Sequence, residues 1–332
     1  MGVPSGGLVA AARAGETLGS TVAHRGADRV RQLAPGCPAS QVRIQSSAVT
    51  RPRRPVLRYA AFSRIASGGN PAGVVLDALG LDDATMQRIA ADVGYSETAF
   101  VTDGGPRPGA PTRVRYFSPE REVDFCGHAS IATGIALGAA HGLGSYPLMT
   151  NVGVVNLEVR TEDDVVIATL ESPPTSTVPF DETHLAALLA SLGWAPTDLH
   201  SLYTPMVATA GNRHPVLVVD GLPRLADLDY DFAALRGLCL RHDWTTIQLM
   251  TPTLPGRWRA RDPFPIGGVM EDPATGAAAA AFGGYLLATG NAEVGHRFTI
   301  EQGVEMGRPS HLYVEILDRT VRVSGTATAL DT

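Results

Sequence analysis

The stretch from residue 259 to 290 constrains the fold most, because a polar cluster stands directly in front of a long run of small residues. The cluster contains Glu271, Asp272 and Pro273, and Ala-Thr-Gly, five alanines and Phe-Gly-Gly-Tyr-Leu-Leu-Ala follow it. Asp is a favoured N-cap residue and Pro is favoured in the first helical turn, so a helix is predicted over residues 274–288 with Asp272 at its start. An apolar helix of this kind is typical of a buried core.

The start of this helix is also a candidate anion site. The first backbone N–H groups of a helix have no partner inside it, and here they belong to Thr275, Gly276 and Ala277. A capped core helix that binds nothing accounts for the same residues. A second feature is therefore needed to favour a site.

That second feature lies in residues 115–140, where Cys126, Gly127 and His128 open another run of small residues. The two stretches are about 145 residues apart and share a Phe and a Pro ahead of the polar cluster. This weak repeat predicts two similar halves whose helix N-termini face each other. A small carboxylate would fit between them.

Composition excludes several classes of protein. All 27 basic residues are arginine, which excludes a pyridoxal-phosphate enzyme and a P-loop, since both need a lysine. The three cysteines are widely spaced without a CxxC pair, which argues for a reducing compartment and against disulfides or structural zinc. The chain contains no run of 18 apolar residues, so no membrane span is predicted. The net charge of −6, without a basic stripe in the body of the chain, argues against nucleic acid as a partner.

Residues 1–54 form a leader of different composition. Residues 1–58 hold nine arginines against Glu16 and Asp28, and the leader has no sustained period of 2 or 3.6. We expect it to be disordered, to have no role in activity, and to be an upstream extension or a segment similar to an organellar transit peptide. The protein is predicted to be cytoplasmic, and the leader leaves an organellar address open.

The rest of the chain predicts two domains, over residues 55–178 and 179–332, although the last strands can cross over. Strands outnumber helices and do not alternate with them, and the helix predicted over residues 127–141 is apolar on all sides. A sheet wrapped around one central helix fits each half better than a doubly wound sheet. The Pro-rich segment 171–179 is the predicted linker, and further helices are predicted over residues 82–93, 182–192 and 232–241.

Glu97 is a candidate functional carboxyl group. It stands at the start of a predicted strand, in Tyr-Ser-Glu-Thr-Ala-Phe-Val, among apolar neighbours. A carboxylate in such surroundings is costly unless it is paired or has a function. A structural glutamate that caps a loop is the alternative.

Six motifs in order resemble the phenazine biosynthesis PhzF-like family, which shares its fold with diaminopimelate epimerase. They span about residues 56–328 and lie at residues 69–75, 96–101, 115–119, 126–129, 271–276 and 302–309. The resemblance implies an α+β fold of two pseudo-symmetric barrel-like domains, each a mostly antiparallel sheet around a central helix. It also implies an active site between them and a cofactor-independent isomerase, and relatives often form homodimers.

The resemblance implies roles for individual residues. The family's acid/base glutamate falls on Glu97, its site histidine on His128 and its second-domain aspartate on Asp272. Substrate-binding positions fall on Asn70, Gly127, Thr275, Gly276 and Ala277. The family usually has Ser where this chain has Ala277, so a hydroxyl group is lost from the substrate side. The implied reaction is proton abstraction next to a carboxylate or imine and reprotonation elsewhere, as isomerisation or epimerisation, with the pKa of Glu97 raised by its apolar surroundings.

Several other interpretations of these residues remain. The main rival is a non-catalytic member that binds a small carboxylate or a protein. His128 at a helix start can be a structural residue, and it lacks the HxH or HExxH spacing of a metal site. Cys126 can be read as a thiol base, but Asp272 rather than a second cysteine faces it, which favours packing. An NAD-dependent oxidoreductase lacks its GxGxxG motif.

Overall fold

The computed structural model describes residues 54–331, so the predictions for the leader lie outside the described residues except at Arg54. Six α-helices occur in this range: α1 (Asp83–Val93), α2 (Gly127–His141), α3 (Glu182–Leu192), α4 (Leu222–Ala226), α5 (Phe232–His242) and α6 (Gly276–Ala288). The fold is mixed α+β, as predicted. Among residues 54–331, no helix combines the length and the apolar character that crossing a membrane requires.

The first half of the described chain is a curved sheet around α2. Its strands are β1 (Leu57–Ala61), β2 (Asn70–Val75), β3 (Glu97–Val101), β4 (Thr112–Phe117), β5 (Glu122–Val123), β6 (Gly144–Thr150), β7 (Gly153–Glu162) and β8 (Val165–Glu171). Pairing runs from β1 through β2, β3, β4, β6 and β7 to β8, with β5 on β4. Helix α2 contacts β1 and β2 as well as β7 and β8, so the sheet wraps around it.

The second half repeats this arrangement around α6. Its strands are β9 (Ser176–Pro179), β10 (Met206–Ala210), β11 (Asn212–Val218), β12 (Gln248–Leu254), β13 (Arg257–Arg261), β14 (Arg297–Gln302), β15 (Ser310–Ile316), β16 (Val321–Gly325) and β17 (Ala327–Ala329). Strands β9 to β16 pair in chain order, and α6 contacts strands near both ends of that run. Strand β16 pairs with β8, and β17 returns to pair with β1.

Local sequence signals account for most helix ends. The side chain of Asp82 accepts a hydrogen bond from the Thr85 N–H at 2.8 Å at the start of α1, and Gly94 ends that helix in the left-handed conformation. The segment predicted to be the linker contains β9, an edge strand that pairs with β10, because its Ser-Thr-Val part can extend beyond the prolines. The predicted boundary at residue 178 falls within this strand, and the division into two domains stays a prediction.

The start of α6 also differs from its prediction. The helix begins at Gly276, with Thr275 rather than Asp272 in the N-cap position. The N–H of Asp272 donates to the Asp262 carbonyl at 3.0 Å, next to the bridge between Pro263 and Glu271 that follows β13. Its carboxylate is therefore free to bind side chains instead of capping the helix.

Small residues in the central helices allow the surrounding strands to approach. A Cβ atom added at Gly134 of α2 would lie 2.8 Å from Leu157 and 3.0 Å from the Ala168 Cβ, whereas one at Gly237 of α5 would meet only an Arg241 nitrogen, at 3.7 Å. We expect Gly134→Ala to lower the free energy of unfolding by about 1–3 kcal/mol through overpacking. The matched control Gly237→Ala should raise it by up to about 1 kcal/mol through helix propensity. Urea denaturation of both variants tests this, and equal effects would contradict it.

Candidate active site

The N-termini of α2 and α6 lie against each other. A Cβ atom added at Gly127 would lie 3.8 Å from the Gly276 Cα and 3.9 Å from the Ala277 nitrogen. The prediction that the two small-residue helices face each other is thus confirmed. The N–H groups of both first turns point toward this junction without partners in their own helices, which creates a positive potential there.

One of the three N–H groups expected to bind an anion is already occupied. The Thr275 N–H donates to the Gln302 Oε1 at 3.2 Å, because β14 ends directly beside this turn. The prediction of a free N–H at Thr275 is therefore wrong. Gly276 and Ala277 are the first residues of α6 and carry the remaining two.

Glu97, Cys126 and His128 form one side of the site. Glu97 is the first residue of β3, and its Oε2 lies 3.5 Å from the His128 Nε2 and 3.5 Å from the Cys126 Sγ. The Cys126 Sγ lies 3.3 Å from the His128 Nδ1, and the Ser96 hydroxyl lies 3.3 Å from the Nε2. The Glu97 side chain is 16% exposed and that of His128 is 6% exposed, so both groups are largely removed from solvent.

Burial sets the protonation of these three groups. It raises the pKa of the Glu97 carboxyl group, against smaller opposing effects of Ser96 and Cys126. It lowers the pKa of His128 and raises that of the Cys126 thiol well above its ordinary value, the charge of Glu97 adding to the latter. At neutral pH the imidazole is therefore uncharged and Cys126 is a thiol, so Glu97 is the group of the three suited to take a proton.

Asp272 forms the other side. Its Oδ1 accepts a hydrogen bond from the Asn70 Nδ2 at 2.7 Å, and its Oδ2 accepts one from the Thr275 hydroxyl at 2.6 Å. Burial raises the pKa of Asp272 to about 6, the charge of Glu97 raises it further, and the hydrogen bonds from Thr275 and Asn70 lower it. Asn70 and Glu97 thus link Asp272 to the other half of the chain.

Sequence reasoning missed two members of this network. The Gln302 Nε2 donates to the Asp272 carbonyl at 2.7 Å and to the Thr275 hydroxyl at 3.0 Å, so Gln302 holds the turn before α6. Ser96 contacts His128. Both residues lie inside motifs that the sequence singled out, but only the strand pairings reveal what their side chains touch.

The cluster of Glu97, Cys126 and His128 has a composition that can also hold a metal ion. One ligand atom from each residue lies within 4.8 Å of the others. Sulfur, nitrogen and oxygen together suit a borderline cation such as zinc. The absence of a metal or other cofactor from the reaction stays a prediction.

Comparisons with known proteins identify relatives of this chain. The family model described as phenazine biosynthesis-like protein matches residues 59–332. A trans-2,3-dihydro-3-hydroxyanthranilate isomerase from Pseudomonas fluorescens is 34% identical over 275 residues, which cover 80% of this chain and 93% of that protein. An uncharacterized isomerase from Bacillus subtilis is 30% identical over 289 residues, covering 83% and 95%. A solved phenazine biosynthesis protein of the PhzF family from Bacillus anthracis superimposes with a TM-score of 0.73 at 25% identity, covering 83% and 96%.

Proposed function

The chain belongs to the phenazine biosynthesis-like protein family and is an isomerase, and we propose that it moves a proton within a small carboxylate-bearing metabolite, with Glu97 as the acid and base. The observation that supports this most strongly is the buried carboxyl group of Glu97 at the junction of two helix N-termini. A base with a raised pKa both takes and returns a proton readily.

The proposed reaction has two steps. The Glu97 carboxylate takes a proton from the carbon next to the substrate carboxylate or imine, and the electron pair of the broken C–H bond moves into that group. The developing negative charge is stabilised by the N–H groups of Gly276 and Ala277 and by those of the first turn of α2. Glu97 then returns the proton at another carbon, or to the other face of the same carbon, and is a carboxylate again.

His128 and Asp272 have two roles that fit their surroundings. The uncharged imidazole of His128 can both donate and accept a hydrogen bond, and the Asp272 carboxylate accepts from Asn70 and Thr275. They can hold a hydroxyl or amino group of the substrate, or carry a second proton if the reprotonated atom lies out of reach of Glu97. Both groups flank the same junction, so either role leaves Glu97 as the first base.

The proposed substrates are small acids with an acidic C–H bond, among them amino, hydroxy and cyclic unsaturated acids. The isomerase from Pseudomonas fluorescens is named for trans-2,3-dihydro-3-hydroxyanthranilate, an acid of this kind. Ala277 has no hydroxyl group to hold such a substrate, so we expect a different polar pattern in the molecule that this chain binds. The protein is further proposed to act without a cofactor, in the cytoplasm and as a homodimer.

Deuterium uptake tests the proposal directly. The protein is incubated in D₂O with a panel of these acids, and NMR follows loss of the C–H signal and appearance of product. We expect exchange on at least one acid, at a rate proportional to protein concentration. If no acid exchanges although thermal-shift assays show that some of them bind, the chain is a binding protein. The loss of a hydroxyl at Ala277 is the observation that favours this second candidate.

Cys126 distinguishes a carboxylate base from a thiol base. Its pKa is raised well above the ordinary value and its Sγ makes only a long contact with Glu97, at 3.5 Å. We expect Cys126→Ala to lower the exchange rate by only about fivefold, the value of one weak hydrogen bond of about 1 kcal/mol. A loss comparable with that of a Glu97 variant would instead make the thiol part of the proton transfer.

A further inference from the structure

The segment 302–309, the last of the six motifs, connects β14 to β15 and contacts both sides of the candidate site. At one end, a Cβ atom added at Gly303 would lie 2.7 Å from the Pro273 carbonyl oxygen, so this glycine packs against the turn before α6. At the other end, the Pro309 carbonyl accepts a hydrogen bond from the Gly69 N–H at 3.1 Å. The segment therefore links the turn before α6 to the loop before β2.

The side chain of Arg308 holds the loop before β2 from the second half of the chain. Its Nε donates to the Gly69 carbonyl at 2.8 Å, and its Nη2 donates to the Gly68 carbonyl at 3.0 Å. Hydrogen bonds from a charged donor are stronger than neutral ones, and the planar guanidinium fixes the direction of both. Among the described residues no carboxylate pairs with Arg308, so these two carbonyl groups are what its guanidinium binds.

Asn70 follows this loop directly and is the first residue of β2. Its Nδ2 donates to the Asp272 Oδ1 at 2.7 Å and to the Ala274 carbonyl at 3.3 Å. A carbonyl oxygen can only accept a hydrogen bond, so the amide nitrogen must face this side and the amide oxygen the other. Arg308 fixes the backbone before Asn70, and the two acceptors fix the orientation of its side chain.

The amide oxygen of Asn70 is left for a ligand. Within residues 54–331 this Oδ1 has no hydrogen-bond partner, and unlike the unpartnered Oε1 of Gln248 it is not sealed from solvent. Ala72 pairs with Glu97 in the register of β2 and β3, and side chains two residues apart share a face of a strand. Asn70 therefore lies on the same face of the sheet as Glu97, and its free acceptor is close to the proposed base.

We propose that Arg308 is a positioning residue for Asn70, which it holds with the amide oxygen free to accept a hydrogen bond from a hydroxyl or ammonium group of the substrate. This role rests on the proposed function for the identity of the base, and it narrows the substrates to acids that carry such a donor near the acidic C–H bond. An acid without the donor would cover the Asn70 oxygen and leave it unpaired, which weakens binding.

Paired acids test the substrate class without turnover. Hydroxy and amino acids, and the matching acids that lack the hydroxyl or amino group, are titrated into the whole protein by calorimetry. We expect the parent to bind the member with the donor about 10-fold more tightly, and Asn70→Ala to reduce this preference to about twofold or less. Absence of a preference in the parent overturns the proposal. A preference that Asn70→Ala retains also overturns it, since another group, such as Asp272, would then hold the donor.

Arg308→Lys tests the positioning role, because lysine keeps the charge but not the two-pronged geometry of the guanidinium. Arg259→Lys is the matched control, since the Arg259 guanidinium donates to Glu301 and to Glu305 of the same segment. We expect Arg308→Lys to lose most of the donor preference and to keep its affinity for the acid without the donor, whereas Arg259→Lys keeps both. A merely structural role would lower both affinities together. Equal behaviour of the two variants overturns the proposal.

The orientation of Asn70 can also be followed without a ligand. Hydrogen-bonded amide protons exchange slowly with solvent, so NMR of ¹⁵N-labelled protein should show a protected side-chain pair that is missing from Asn70→Ala. We expect Arg308→Lys to lose this protection and Arg259→Lys to keep it, and unchanged protection in Arg308→Lys overturns the positioning role. Should Arg308→Lys fail to fold, Gly68→Ala displaces the same loop, because its Cβ would lie 2.6 Å from the Pro309 carbonyl oxygen.

Binding and exchange together distinguish this role from the proposed function. If no acid exchanges deuterium although Asn70 confers the donor preference, the proposed function fails and the role of Asn70 and Arg308 in binding stands. If acids exchange but the parent binds both members of each pair equally, the proposed function stands and this role fails.

Discussion

Replacing Glu97 with Gln is expected to lower the rate of deuterium exchange by about 10²- to 10⁴-fold, the usual effect of removing a general base. Glutamine keeps the size and hydrogen-bonding capacity of the side chain beside Cys126 and His128 but cannot take a proton. Binding of the substrate should be retained, because the helix N-termini are unchanged. The comparison requires exchange rates at saturating substrate and a thermal-shift measurement of binding.

The same variant gives an independent readout through stability. The pKa of Glu97 is raised in the folded protein, so the folded state binds this proton more tightly than the unfolded state does. The stability that protonation contributes is present at low pH and is lost as pH rises through the folded pKa. Glu97→Gln should therefore be more stable than the parent above that pKa, and the difference should shrink as pH falls toward the ordinary carboxyl range. An inactive variant that is also more stable at pH 8 cannot be inactive through misfolding.

Glu122 offers a matched control in the same half of the chain. It lies on β5, and hydrogen bonds from Arg115 hold the pKa of its carboxyl group below the ordinary value. Glu122→Gln should change the exchange rate by less than about threefold, since a surface ion pair contributes about 1 kcal/mol or less. Equal losses in the two glutamate variants, or a near-parental rate in Glu97→Gln, would exclude Glu97 as the base.

Much of the fold follows from signals that act over a few residues. Helix α1 has an Asp cap and a C-terminal Gly, and α3 begins after Asp181, whose side chain accepts from the N–H groups of Thr183 and His184. The helix α6 was predicted correctly, but its N-cap is Thr275 rather than the predicted Asp272. Asp and Pro before a run of alanines satisfy the local rule, but tertiary bonds to Asn70 and Asp262 hold Asp272 away from the helix axis.

The residues of the candidate site also differ in whether the sequence alone predicts them. Glu97 stands out in the sequence because a carboxyl group among apolar neighbours is costly, and His128 stands out because it belongs to the polar cluster that opens a run of small residues. Gln302 has no such signal, and it contacts Asp272 and Thr275 only because β14 ends beside the turn before α6. A buried network whose members are far apart in the chain depends on how the strands pair, which no local pattern determines.

Replacing Asp272 with Asn is expected to lower the exchange rate by about 10²- to 10⁴-fold as well, for a different reason. The carboxylate accepts hydrogen bonds from both Asn70 and Thr275, whereas an amide has a single acceptor oxygen, so one of the two donors loses its partner. The negative charge that can hold an amino or hydroxyl group of the substrate is also removed. Both kcat and kcat/KM should therefore fall, and an exposed acid in the turn between β15 and β16, changed as Asp318→Asn, is the control that should leave them unchanged.

The pH profile separates this role from a general loss of structure. The pKa of Asp272 is raised to about 6, so its carboxylate is lost as pH falls through that value, and the rate of the parent should decline there. Asp272→Asn should retain a small rate whose profile lacks this inflection while keeping the one that belongs to Glu97. A profile of Asp272→Asn with the parental inflection near pH 6 would mean that another group titrates there. Asp272 would then serve only to hold Asn70 and Thr275 in place, and the charge at the junction of the two helices would come from Glu97 alone.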